Sequence, residues 1–263
     1  MKKMTMLLLL VTTFSAIGFA QGDDDIPIPP KRSQMAKIGG FGYFAPSWLK
    51  IDVNPINQFL IGAGAAPLKD NGIFMYGGGG AAYIILVPNL RIGGMGTSGS
   101  IRSTSIQPTP SGLNTVRRDV EATVGFGAIT AEYVIPIVEH LDISIGGAIG
   151  WGGLDLQLRE DNGSTLTWGQ EWTNFGSGNY QATTGNQIMN ITRTLSGSFL
   201  IWRPGVNIEY ALMGWLAARV GVSYLGMSAP SWEVDGKYDL VGVPDNINGK
   251  GVTVNLGVMI GTF

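Results

Sequence analysis

The chain of 263 residues has no cysteine and a single histidine, and only 14% of its residues are charged. Without cysteine there is no disulfide scaffold and no thiolate metal or redox centre. Sparse charge beside 44% hydrophobic residues excludes a disordered chain, which needs more charge and less apolar surface. Basic residues are not in excess: 17 Lys and Arg stand against 19 Asp and Glu, so no nucleic-acid partner is expected. After Ala20, no uninterrupted apolar run comes near the roughly 20 residues a membrane helix needs. Glycine is abundant, 40 of 263, but lacks the period of three that marks collagen. What remains is a glycine-rich, apolar, all-β chain of one domain.

The N-terminus reads as an address. Lys2 and Lys3 precede an apolar stretch from Met4 to Phe14, and Gly18 and Ala20 place small residues at −3 and −1. Residues 1–20 are therefore expected to be an export signal cleaved near Ala20. No cysteine follows the cleavage point, so a lipoprotein is excluded. Residues 21–35 form a periplasmic leader, extended by its prolines. Its run Asp23, Asp24 and Asp25 reads as a solvated acidic segment rather than a cation site.

Residues 36–263 carry long stretches of strict alternation, the pattern of strands with two unlike faces. Val252, Val254, Leu256, Val258 and Ile260 share one face, and Thr253, Asn255, Gly257, Met259 and Gly261 the other. A soluble sandwich would turn its polar face to water and fill it with Lys, Glu and Thr. Here that face is mostly Gly, Ala and Ser, which suits the inside of a narrow membrane barrel with its fatty face on lipid. The expected fold is an antiparallel up-and-down transmembrane β-barrel of eight strands. They run Ala36–Ala45, Ile73–Leu86, Leu90–Ser105, Thr115–Ile135, Leu141–Leu158, Ile191–Tyr210, Trp215–Leu225 with an extension, and Val252–Phe263. The extension is expected at Ser231 to Val234, returning through Tyr238 to Val241. Ten strands remain an alternative, because the third and fourth long loops each have room for a hairpin. Connectors alternate between short, such as Val87–Asn89, and long, such as Pro46–Asn71, so both termini fall on the periplasmic side. Asn54-Pro55 ahead of Ile56, Phe59 and Leu60 predicts a short helix in the first external loop. A hairpin is expected about Asp161-Asn162-Gly163. At Gly152-Gly153 the alternation changes phase between Trp151 and Leu154, which predicts a β-bulge.

The signal, the alternating strands, the alternating loop lengths and the terminal Phe263 together resemble a small bacterial outer-membrane β-barrel of the outer-membrane protein A type. The resemblance covers about Ala36 to Phe263. It implies location in the bacterial outer membrane, contact with its lipid, and recognition of the last strand by the outer-membrane assembly machinery. Phe263 departs from the pattern, since it shares parity with Met259 and Gly261 rather than with Ile260. The resemblance carries no active site.

Aromatic residues fall where lipid would meet water. Tyr133, Tyr210 and Trp215 flank the short turns, and Phe44, Trp48, Phe74, Tyr76 and Trp232 lie towards the external ends. Arg91, Glu132, Asp142, Arg203, Glu209 and Arg219 are expected to point inward and pair, because an isolated buried charge is very costly. Such a network would plug an eight-stranded barrel, whose interior is just wide enough for side chains. Glycines 77–80, 93, 125, 127, 146 and 150 argue the other way, for a glycine-lined passage.

Gly94-Met95-Gly96-Thr97-Ser98-Gly99 matches a dinucleotide fingerprint, but no helix follows to hold a pyrophosphate. His140 sits in a predicted periplasmic turn without an evident serine nucleophile, so histidine catalysis at the outer rim is not expected. No catalytic residue, metal or cofactor is expected. The preferred function is non-enzymatic: a structural or surface-interaction protein working through its external loops, with an unknown extracellular ligand. Trp168, Trp172, Tyr180 and Trp232 would be its contact residues. The alternative is a narrow channel for a small solute. A loop-borne carboxylate enzyme is a weaker third reading.

Overall fold

The computed structural model describes residues 39–108, 115–161 and 191–262. The export signal, the leader, Asn162 and Gly163, Trp168, Trp172, Tyr180 and Phe263 lie outside them.

Ten strand segments and one helix follow in order: β1 (Gly40–Phe44), β2 (Ser47–Ile51), α1 (Asn54–Gly62), β3 (Ile73–Tyr83), β4 (Leu90–Pro108), β5 (Thr115–Val138), β6 (Leu141–Asp161), β7 (Ile191–Met213), β8 (Leu216–Val234), β9 (Tyr238–Asp239) and β10 (Gly251–Gly261). All pair antiparallel with their neighbours. The ring closes because β10 pairs with β8 on one side and with β1 and β2 on the other. β1 and β2 are one barrel strand broken at Ala45-Pro46, where proline has no N–H for the ladder. The break is bridged: the Ala45 amide donates to the Gly77 carbonyl at 2.8 Å, and the Leu256 amide to the Pro46 carbonyl at 3.1 Å. The barrel thus has eight strands. The first reaches Ile51, six residues beyond its expected end, so part of the supposed first loop is wall. β9 prolongs the β8 hairpin only slightly.

Two of the three short periplasmic turns, and the external β8–β9 tip, use left-handed residues. Asn89 (φ 65°) and His140 (φ 67°) reverse the chain at the periplasmic end, and Asp235 (φ 55°) with Gly236 (φ 62°) at the external tip. The helix begins where Asn54-Pro55 predicts, with proline in its first turn.

Strand length is the main surprise. β5, β6 and β7 have 24, 21 and 23 residues, whereas crossing a bilayer takes about 9–11. The excess lies on the external side, and there the faces exchange character. Along β6, Ile145, Ile149 and Trp151 point out and are exposed, while Asp142 and Ser144 point in and are buried. Beyond Gly152-Gly153, Asp155 and Arg159 point out, and Leu154 and Leu156 are buried inside. Pairing runs unbroken through this point, Phe126 with Gly152 and Gly125 with Gly153, and likewise against β7. The expected bulge is absent. The phase change marks where the outside of the barrel passes from lipid to water. Below it the barrel is apolar outside and polar inside, as an outer-membrane barrel must be. Above it the barrel is built like a soluble one.

The lipid-facing belt is clear on β10, where Val252, Val254, Leu256, Val258 and Ile260 are all exposed. Tyr133, Tyr210 and Trp215 ring its lower edge, and Phe44, Trp48, Phe74 and Tyr76 its upper edge, all exposed. Trp151, Trp202 and Tyr224 join the upper ring; the Trp202 and Tyr224 rings lie 5.6 Å apart. Trp232 does not join it.

Candidate functional site: a lumen filled in two layers

The lower layer is ionic. Register places Arg91 of β4 beside Glu132 of β5, and Glu209 of β7 beside Arg219 of β8. All four side chains point inward and meet across the barrel. Arg91 donates from Nε to Glu132 Oε2 at 2.9 Å and from Nη1 to Glu209 Oε2 at 2.9 Å, and its Nη2 contacts both carboxylates. Arg219 binds Glu132 Oε1 and lies 3.7 Å from Glu209. Two arginines and two glutamates form a closed, neutral quartet. Neutral partners complete it: Ser144 Oγ donates to Glu209 Oε1 at 3.0 Å, and Asn207 Nδ2 donates to Ser144 Oγ at 3.1 Å. From β1, the Phe41 ring lies 4.9 Å from the Arg91 guanidinium and the Tyr43 ring 5.4 Å from that of Arg219, both within cation–π range.

The remaining two expected lumen residues are not in the quartet. Asp142 is buried at the periplasmic end, beside Glu209 in register. Arg203 points inward six residues further along β7, about 20 Å away along the strand. Its Nη1 donates to Met95 Sδ at 3.2 Å, and its Nε is buried without a hydrogen-bond partner.

Inward glycines make room for these large groups, and Gly77, Gly146 and Gly205 also border the small chamber described below. A Cβ on Gly79 would meet the Tyr43 hydroxyl at 2.8 Å. One on Gly221 would collide with the Asn207 amide and meet Asn255 Nδ2 at 2.9 Å. Gly78, Gly80, Gly125 and Gly127 have the parity of the outer face. Gly127 is exposed there, and of these four expected lining glycines Gly78 alone borders the lumen chamber.

The upper layer is apolar. Leu49, Ile51, Ile73, Met75, Val120, Val124, Leu154, Phe199, Ile201, Leu225 and Met227 converge from all sides of the wall. α1 lies against this core, burying Pro55, Ile56 and Leu60, and Leu68 and Ile247 come in from the connecting segments. Asn57 pins the return of the first loop, donating from Nδ2 to the Leu68 carbonyl at 3.0 Å and accepting the Leu68 amide at 2.8 Å. Trp232 belongs here. It is buried, edge-on to Phe199 at 5.8 Å. By simple alternation from Leu225 and Met227 it would point out, but a one-residue register shift opposite Ser198–Leu200 reverses the parity of β8. Trp232 is therefore a core residue and not a surface contact.

Between the layers lies a chamber of about 40 Å³, lined among others by Tyr43, Thr97, Arg203, Ser223, Thr253 and Asn255. His140 lies far from it, in the β5–β6 turn, with Nε2 3.7 Å from Glu139 Oε1.

No family model matches the chain, and no curated protein does. Among solved structures, the chain is similar to Ail, the attachment invasion locus protein of Yersinia pestis, at 13% identity and TM-score 0.37, over 85% of this chain and 97% of that one. It is similar to a major outer membrane protein from Thermus thermophilus, at 11% identity and TM-score 0.42, over 85% and 98%. It is similar to Neisserial surface protein A, at 10% identity and TM-score 0.34, over 87% and 98%.

Proposed function

We propose that this protein is a non-enzymatic outer-membrane barrel that serves a structural or surface-interaction role and conducts no solute. The observation that carries this reading is the filling of the lumen at two heights, by a neutral ionic quartet and then by an apolar core with a helix packed on it. A solute would have to displace both. The external half of the wall supports the same reading. Some nine residues of β5, Thr115 to Thr123, rise above the lipid belt, which lifts the loops by roughly 20–25 Å at ordinary strand rise and tilt. A rigid, water-facing stem of that height suits display of loops to another surface. Trp168, Trp172 and Tyr180 in the longest loop are the proposed contacts, and the last strand is the proposed signal to the assembly machinery.

The test is a planar lipid bilayer holding the folded full chain, with folding verified by a heat-dependent gel shift. The expected record is silent at both polarities. Discrete, reproducible conductance steps would overturn the closed-barrel reading and return the solute channel.

A further inference from the structure

We propose that the mid-barrel chamber is a binding site for one small monovalent anion of halide type, held by Arg203. The argument begins with charge balance along the lumen. Arg91 and Arg219 are fully matched by Glu132 and Glu209. Asp142 is at the periplasmic end, and β7 separates its level from Arg203 by about 20 Å. Arg203, next to Trp202 of the upper ring, therefore stands towards the upper edge of the lipid belt with no carboxylate in its ion-pair range among the described residues, although Glu132 of the quartet borders the same chamber. A thioether is a weak acceptor for a guanidinium, and the buried Nε has no acceptor among the described residues. An unmatched charge in such a place is costly and draws a counter-charge.

The chamber is built to receive one. Ser223 Oγ, two residues beyond the Arg203 level on the neighbouring strand, is also buried without a partner. Thr97, Thr253 and Asn255 add hydroxyl and amide groups to the wall, and the paired Glu132 and Arg219 border the chamber from the quartet, leaving Arg203 as its one cation outside an ion pair among the described residues. The size selects the ligand. About 40 Å³ holds about three waters, which suits a halide with one or two waters. The single unmatched positive charge also calls for a monovalent ion. Glu132 and Arg219 of the quartet border the floor, and Met75 and Phe126 begin the apolar ceiling.

The experiment uses the folded full chain in detergent micelles, melted in sodium bromide or sodium gluconate at equal ionic strength. Wild type should melt at a higher temperature in bromide, with a saturable dependence on concentration, and Arg203→Met should lose that dependence. Crystals grown in bromide should show one anomalous peak in the chamber, a result that does not require the variant to fold. An equal bromide response in wild type and Arg203→Met would mean a general salt effect and overturn the site. So would a bromide-soaked chamber with no anomalous peak, which would mean that water alone solvates Arg203.

Discussion

At the residue scale, the strongest commitment is the quartet. Arg91 is 1% exposed and its guanidinium is divided between two carboxylates. Removing one partner leaves a buried charge unmatched, which costs roughly 3–5 kcal/mol. Glu209→Ala should therefore lower the stability read from urea unfolding in vesicles by that amount, while an exposed-pair variant such as Lys50→Ala should shift it by under about 1 kcal/mol. Gly221→Val tests close packing. Its side chain would meet the Asn207 and Asn255 amides, so assembly into the heat-resistant folded form should fail, whereas Gly127→Val, facing lipid with open space, should assemble normally. Asp235 gives a pH prediction outside the membrane. The Thr194 amide, donating at 2.9 Å, and then Arg193 Nη1 at 2.5 Å hold its carboxyl below the ordinary carboxylate range. A lowered folded value means its contribution is complete above the unfolded value, near pH 4, and is lost as pH falls through the folded one. The Thr194 amide should exchange faster with deuterium as pH falls below about 4, after correction for intrinsic rates, and Asp235→Asn should exchange fast throughout.

Residue roles were legible in the sequence where parity alone decided them. Arg91, Glu132, Glu209 and Arg219 sit on uninterrupted ladders, so alternation places them inward. Trp232 defeats the same rule because the register shift before it reverses the face. The roles of Phe41 and Tyr43 are not legible in sequence, because Phe41 meets Arg91 two strands away past β3 and Tyr43 meets Arg219 across the seam where the first strand meets the last. The unmatched charge of Arg203 was equally invisible, since it depends on how far along β7 the other charges end.

At the scale of elements, α1 and the wall extension matter most. α1 was readable from Asn54-Pro55 and the spacing of Ile56, Phe59 and Leu60. Its position was not, because nothing local says that Ile56 and Leu60 pack on a barrel core rather than on each other. Leu60→Ala should cost about 2–5 kcal/mol of local stability if the core does not collapse around it. Deuterium exchange should then speed up at the α1 amides while the β5 and β6 amides stay protected. The bilayer record should remain silent, because the quartet lies below and is untouched. The extension was hidden by a different cause. A strand leaving lipid for water exchanges its apolar face without any change in backbone, and in sequence that looks the same as a bulge at Gly152-Gly153.

For the whole molecule, the two halves solve one problem under two solvents. In lipid, the outside must be apolar and the inside must neutralise whatever charge it keeps. In water, the outside carries Arg102, Asp119, Glu121 and Arg159 and the inside is packed with aliphatic and aromatic side chains. The single wall joins them, and the loops stand on the second half. The chain has no cysteine, so single-cysteine nitroxide labels can be placed along β6 without background. The decisive measurement is a scan from Ile143 to Asp161 in vesicles, reading collision with oxygen against collision with a water-soluble nickel complex. Odd positions up to Trp151 should favour oxygen, Asp155, Gln157 and Arg159 should favour nickel, and even positions should be immobile throughout. A shift of the mobile positions from odd to even across Gly152-Gly153, or nickel contact at Ile145 and Ile149, would contradict a continuous wall that changes solvent at that point.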